Sequence, residues 1–133
     1  MAPKVRTTAK AKYANYVRKS DQFARAAADA QARGDWDAAV SNAVHAAIAM
    51  ADALAVFYAG HRSAAQSHQE TLEVLFGLAL DRTDLERNSA HLSRLLGVKT
   101  AAEYEERLLE GNDAARALKH MDRFRQWAKA KLP

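Results

Sequence analysis

The fold is decided by residues 36 to 59, WDAAVSNAVHAAIAMADALAVFYA, a run without proline or glycine. Its apolar residues recur every three or four positions, at Trp36, Val40, Ala43, Ala47, Met50, Leu54 and Phe57. This period predicts a helix with one continuous apolar face, as the core helix of a bundle requires. Asp35 is the expected N-cap, and Gly60 is expected to end the helix.

Similar patterns predict a helix on each side of this run. Upstream, apolar residues recur at helical spacing from within a basic N-terminal arm, and Gly34 is expected to end that helix. Downstream, a helix from about His68 to Leu80 is more apolar all round than the others, which predicts a central position in the bundle. Ser67 and Glu70 form an S-x-x-E capping box, so we expect Ser67 to be the N-cap.

The C-terminal part of the chain predicts two short helices and one long one. Residues 83–86 form a second capping box, which opens a short helix ending near Gly97. Residues 100–103 open another short helix, which Gly111 stops, and Asn112 or Asp113 then caps the last long helix. The sequence therefore predicts an all-α fold. Its architecture is a four-helix bundle of the up-and-down type, with one or two extra short helices between the third and last long helices.

Length and composition limit the class of protein. A chain of 133 residues predicts one domain, which we divide into a basic N-terminal arm, partly helical or frayed, over residues 1–19 and the bundle over 20–133. The absence of cysteine excludes disulfides, a thiolate nucleophile and Cys-ligated zinc. We find no apolar signal segment after the basic N-terminus and no run that we expect to cross a bilayer, so a cytoplasmic protein without membrane contact is expected.

The N-terminal arm is the most basic stretch of the chain. No acidic residue occurs between residues 4 and 19, and the chain as a whole carries a net charge of +4. The candidates for contacts with RNA phosphates are Lys10, Lys12, Arg18 and Lys19. The alternative is that these charges only keep a frayed arm in solution.

The chemistry is expected in the polar turn GHRSAAQSHQE, residues 60–70. His68 is predicted to begin a helix, whose N-terminal N–H groups and dipole favour neutral imidazole and attract anions such as phosphate. Arg62 lies six positions earlier and is always charged. An arginine that stabilises charge on phosphorus oxygens and a histidine that moves a proton are suited to cleaving a phosphodiester. The alternative is that both residues only cap and solvate the turn.

Other polar positions allow weaker predictions. His45 and Asp52 fall close to one line along the helix of residues 36–59, so Asp52 could orient or charge-balance a group in the neighbouring turn; ordinary polar contacts are the alternative. Arg87 and His91 are interpreted as a solvated helix face. The sequence lacks a Gly-rich phosphate loop, His-Glu-x-x-His and paired Glu-x-x-His, so we expect neither a cofactor nor a metal site.

Several segments together resemble the HEPN superfamily, and more narrowly a small stand-alone branch of actinobacterial type. They are SNAVHAAIAMADAL at 41–54, GHRS at 60–63, HQETLEVL at 68–75, LLGVKTAAEY at 95–104, DAA at 113–115 and RF at 123–124. The resemblance covers roughly residues 22 to 132 and leaves the basic arm outside. Many HEPN proteins are ribonucleases or ribonuclease toxins that carry Arg-x(4–6)-His and dimerise around a shared cleft.

The resemblance implies a metal-independent endoribonuclease related to toxins or defence, with Arg62 and His68 as catalytic residues. It implies Asp52, Ser63 and His45 as supporting residues, a homodimer, RNA as substrate, and an antitoxin or a nucleotidyltransferase-like protein as partner. Ser63 departs from the Asn, Asp or His that often follows the motif arginine. The alternative is a non-catalytic helical bundle that binds a protein partner or a nucleotide; a single tetratricopeptide-like hairpin is a weaker one.

Overall fold

The computed structural model describes residues 4–64 and 68–133; the side chains of residues 68, 102 and 103 lie outside that description. Two three-residue strands are present, β1 at Val5–Thr7 and β2 at His61–Ser63, together with a 3₁₀ turn at Lys10–Lys12. The helices are α1 (Tyr13–Arg33), α2 (Trp36–Ala59), α3 (His68–Phe76), α4 (Arg82–Glu105) and α5 (Gly111–Ala130). The predicted all-α helical bundle is confirmed.

The central helix of the bundle is α2, which packs against α1, α3, α4 and α5. Thirteen of its residues are buried, and many of them are alanines, whose small side chains let neighbouring helices approach closely. Our expectation that the helix starting at His68 would be central was wrong. That helix, α3, has only nine residues and ends at Phe76, so Leu78 and Leu80 lie in the turn that follows. The longer α2 takes the central position instead.

The first two helix ends follow the sequence prediction. Gly34 and Gly60 have φ angles of 78° and 70°, the left-handed conformation that glycine adopts without a Cβ penalty. Asp35 occupies the N-cap position of α2, but its side chain makes no capping hydrogen bond and instead pairs with Arg33 at 3.2 Å. These two turns place α1 and α2 side by side and return the chain from α2 into β2.

The region after residue 80 differs from the prediction. Instead of two short helices there is one long helix, α4, because Gly97 is helical and Leu92, Leu95 and Leu96 hold the helix on the core. The residue that caps α4 is Asp81, whose Oδ2 accepts the N–H of Asp84 at 2.9 Å, and not Thr83. The short helix therefore lies between the second and third long helices.

The start of α5 also differs in detail. Gly111 begins this helix and does not stop the preceding one, which ends where Glu106 adopts a φ of 55°. Glu110 is the N-cap and forms a reciprocal capping box with Asp113, so neither Asn112 nor Asp113 occupies the N-cap position.

Polar contacts join α1, α2 and α5 to one another. Ser20 donates to the carbonyl of Ala46 at 2.7 Å, and Arg125 reaches both Ser20 Oγ and the carboxylate of Asp21. The hydroxyl of Tyr58 donates to the carbonyl of Lys131 at 2.5 Å.

Because α1 continues through residue 19 without interruption, no helix boundary coincides with the boundary predicted there between the basic arm and the bundle.

By length and hydropathy, α2 could cross a membrane, contrary to our expectation that no run would. In this structure 67% of its apolar window is buried against the other helices. A core helix of a bundle passes the same test of length and composition.

Candidate functional site

The turn that carries Arg62 is held by the N-terminal arm through a two-stranded antiparallel ribbon. Val5 lies opposite Ser63, Arg6 opposite Arg62 and Thr7 opposite His61. Directly opposite residues of such a pair project to the same face, and both arginines line one groove. Like charges in this position are unfavourable unless something else compensates them. The Arg6–Arg62 pair therefore marks a place where an anion would be stabilising.

A groove of about 480 Å³ opens beside this arginine pair. It lies between the ribbon and the first turns of α1. Its lining residues are Arg6, Thr7, Thr8, Ala9, Lys12, Asn15, Tyr16, Lys19 and Arg62. Four of them are cationic and none is acidic, so the groove, which we call the Arg62 groove, has the charge and the hydrogen-bond donors that phosphate groups require.

Arg62 is positioned by its immediate surroundings. Its Nη1 donates to the carbonyl of Ser63 at 3.0 Å, and its guanidinium carbon lies 5.9 Å from the centre of the Tyr16 ring. Its Nε is buried, and no hydrogen-bond partner for this atom occurs in the described part of the chain. A buried guanidinium donor without an acceptor is costly, so Arg62 is held here at the expense of one hydrogen bond.

Asp52 lies within the electrostatic reach of Arg62 and Lys19 but has limited access to water. Burial raises the pKa of this carboxyl to about 7, while the charges of Arg62 and Lys19 act in the opposite direction. A carboxyl group with a pKa near neutrality can both accept and release a proton at physiological pH. Asp52 therefore lies within the electrostatic influence of Arg62, while its predicted supporting role stays a prediction.

His68 is the first residue of α3, as predicted from the sequence, and α3 packs against β2. The Glu70 carboxylate of the first turn accepts the backbone N–H of Lys4 at 3.3 Å, which links this helix to the arm. The predicted N-cap, Ser67, and the side chain of His68 lie outside the described residues. The structure therefore places the start of α3 beside the strand that carries Arg62.

The two other supporting candidates lie in different surroundings. Ser63 is buried within the ribbon and supplies the carbonyl that holds Arg62. His45 is exposed two turns before Asp52 on α2, and its ring lies 5.2 Å from that of Phe23. The pKa of His45 is lowered by partial burial and by the charge of Lys99, a residue of α4. His45 is therefore surrounded by residues that do not line the Arg62 groove.

The four basic candidates of the arm separate into two groups. Lys12 and Lys19 line the Arg62 groove. The Lys10 ammonium lies 4.4 Å from the centre of the Phe57 ring, a cation–π contact that favours a structural role. Arg18 lines another groove, formed with the C-terminal residues Leu132 and Pro133.

Sequence reasoning missed two residues of this site. Arg6 belongs to the basic arm but was not a site candidate, because its position beside Arg62 depends on the pairing of two strands that are far apart in the chain. The β-branched residues Val5, Thr7 and Thr8 around it were an available signal for extended structure. Tyr16 was assigned only to the apolar pattern of a helix, although its ring also faces Arg62 and Lys19.

Comparison with models of protein families, with curated proteins and with solved structures gives no match for this chain.

Proposed function

We propose that the chain is a metal-independent endoribonuclease that binds single-stranded RNA in the Arg62 groove. The observation that supports this proposal most directly is the cross-strand pair of Arg6 and Arg62 in a groove with Lys12 and Lys19 and without a lining carboxylate. Clustered cations of this kind are unfavourable alone and are compensated by a polyanion. The Tyr16 ring supplies a surface on which a base could stack.

In the proposed reaction, His68 accepts the proton of a ribose 2′-hydroxyl. The 2′-oxygen then forms a bond to the adjacent phosphorus, and the bond from phosphorus to the 5′-oxygen of the next nucleotide breaks. The protonated His68 then returns this proton to the leaving 5′-oxygen, which gives a 2′,3′-cyclic phosphate and a 5′-hydroxyl end and restores the neutral imidazole. Arg62 stabilises the additional negative charge on the phosphorane oxygens, as a positioned cation does in phosphoryl chemistry.

Asp52 has a positioning role in this proposal. As a carboxylate it attracts the guanidinium of Arg62, and as a neutral acid it leaves the groove more positive. Because its pKa is about 7, the charge of the groove is expected to change across the physiological pH range.

The proposal also includes a homodimer in which two copies of the groove face each other. Analytical ultracentrifugation would test whether the protein forms a dimer.

The test is cleavage of a mixed RNA substrate in EDTA by the wild type and by Arg62→Ala and His68→Ala. Each substitution is expected to lower the rate by on the order of 100-fold or more if its side chain acts in the chemical step. Arg87→Ala is the matched control, because Arg87 is an exposed arginine of α4 that does not line the groove. Circular dichroism would confirm that all variants keep the helical fold.

Two outcomes would contradict catalysis at this site. Equal rates in the wild type, Arg62→Ala and His68→Ala would mean that any cleavage comes from elsewhere or from a contaminant. RNA binding that Arg62→Ala weakens, in the absence of cleavage by any form, would support the alternative function, a non-catalytic bundle that binds a nucleotide or RNA through the same groove.

A further inference from the structure

A second group of titratable residues lies between α4 and α5, away from the Arg62 groove. The Nδ1 atoms of His91 and His120 are 3.0 Å apart, with ring centres separated by 5.3 Å. At this distance one ring must carry the proton and donate it to the unprotonated nitrogen of the other. Our interpretation of His91 as part of a solvated helix face was therefore wrong, because His91 is half-buried and hydrogen-bonded to a different helix.

The surroundings of this histidine pair are cationic on both helices. Arg94 of α4 and Lys119 and Arg123 of α5 act on both rings. Burial is the main cause that lowers the pKa of both histidines; these charges act in the same direction, and the charge of His91 also lowers the pKa of His120. All the charged groups that shift these two pKa values are cationic, so the surroundings of the pair are positively charged.

A groove of about 380 Å³ adjoins the pair. Arg94, Arg116 and His120 line it together with Gly97, Val98 and Ala101. A Cβ placed on Gly97 would meet no atom within 4 Å, so the floor along α4 is open. Arg116 uses one nitrogen to hold Asp113 at 2.7 Å, but a guanidinium presents five donors in a planar fork and can contact two anions.

We propose that this α4–α5 groove binds a phosphate group through Arg94, Arg116 and His120. Two guanidinium groups and an imidazole N–H are donors that match phosphate oxygens. A bound phosphate would favour the protonated form of His120, so binding takes up a proton and strengthens as the pH falls below the ordinary histidine range. The site shares no lining residue with the Arg62 groove, and it does not depend on catalysis there.

The histidine pair could also attract a transition metal, since imidazole nitrogens are common ligands. Two observations favour the anion. A divalent cation would lie beside the charges of Arg94, Lys119 and Arg123. In addition, among residues 4–64 and 68–133 no third histidine or acidic residue joins the pair to form a cluster that could hold a metal.

The experiment follows the ring signals of His91 and His120 by NMR during titration with inorganic phosphate, with sodium chloride at equal ionic strength as reference. It uses the Arg62→Ala protein, so that ligand in the other groove does not contribute. Phosphate is expected to raise the pKa of both histidines. Arg94→Gln should weaken phosphate binding about tenfold, which corresponds to the loss of one charge-assisted hydrogen bond.

Arg87→Gln is the matched control on the same helix. Arg87 lies seven residues before Arg94, hence on nearly the same side of α4 but two turns away, and it does not line the groove. It should leave phosphate binding almost unchanged. A second titration with a single-stranded RNA oligonucleotide distinguishes the source of the phosphate: a response to RNA alone, lost in Arg94→Gln, would assign the groove to a nucleic-acid backbone.

Two results would overturn the proposal. One is that neither phosphate nor RNA moves the His91 and His120 signals beyond the chloride reference. The other is that Arg87→Gln and Arg94→Gln weaken binding equally, because the response would then report the overall charge of α4 and not a site.

Discussion

Two aspartates of this molecule lie among basic residues, and their pKa values shift in opposite directions. Asp113 lies in the first turn of α5 and accepts hydrogen bonds from Arg107 at 3.0 Å, from Arg116 at 2.7 Å and from the N–H of Glu110 at 2.8 Å. These contacts lower its pKa to about 2, with the Arg107 hydrogen bond first. The Asp52 carboxyl has cations nearby as well, yet burial raises its pKa to about 7.

The difference between the two aspartates is one of hydrogen bonding. Donors in direct contact with Asp113 replace the water that its carboxylate loses, whereas Arg62 and Lys19 act on Asp52 only through their charge. Asp113 is therefore a structural ion that stabilises a helix start. Asp52 is destabilised as an ion, and such groups are concentrated at functional sites.

The largest effect is expected at Asp113, the aspartate with the structural role. Asp113→Ala removes one half of the capping box and the partner of two arginines, so it should lower the free energy of unfolding by about 3 kcal/mol. Urea denaturation at pH 7 measures this. Asp122→Ala is the matched control, since Asp122 is an exposed aspartate of the same helix. Equal losses in both variants would mean that the Asp113 contacts contribute little.

The lowered pKa of Asp113 also predicts how stability changes at acidic pH. Because the pKa of Asp113 is lower in the folded chain than in the unfolded chain, its contribution is present above pH 4 and is lost as the pH falls towards 2. In Asp113→Ala this part of the acid destabilisation should be missing. Unfolding curves at pH 4 and pH 2 measure the difference. An unchanged pH dependence would contradict the assignment of the shift to Asp113.

A smaller effect of opposite sign is expected at the other aspartate. The pKa of Asp52 is higher in the folded chain, so its ionisation opposes folding, and wild-type stability should fall as the pH rises from 4 through 7. Asp52→Asn removes this penalty and should stabilise the protein at pH 8 by on the order of 1 kcal/mol, with little effect at pH 4. Destabilisation at pH 8 would mean that the carboxylate forms a favourable pair with Arg62.

The comparison also explains how much the sequence alone could predict. The 3.6-residue period of α2 and the glycines at 34 and 60 predict correctly where that helix lies, because α2 is buried along its length and left-handed glycines end α1 and α2. Gly97 was misjudged since a helical glycine costs only about 1 kcal/mol, less than the packing of neighbouring leucines. Local pattern therefore fails where tertiary contacts decide.

The candidate site shows the same division. Arg62 became a candidate through its spacing to His68, and Asp52 through its position on the line of polar residues along α2. Arg6 could not be placed, since a three-residue strand is too short for a periodic signal and its partner lies on the far side of two helices in sequence. The opposite pKa shifts of two aspartates in similar basic contexts likewise depend on burial and contacts.

The smallest effect tests whether charge alone acts on Asp52. Of the two cations that lower its pKa, Arg62 has the larger influence and Lys19 the smaller. Titration of the Asp52 carboxyl carbon by NMR should therefore show a rise in pKa in Lys19→Met and a larger rise in Arg62→Ala. Lys10→Met is the control, because Lys10 lies over Phe57 and does not act on this carboxyl. A fall in pKa in Lys19→Met would indicate that water, entering the space left by the lysine, outweighs the lost charge. The difference in pKa between Asp52 and Asp113 would then depend more on access to solvent than on the cations of the Arg62 groove.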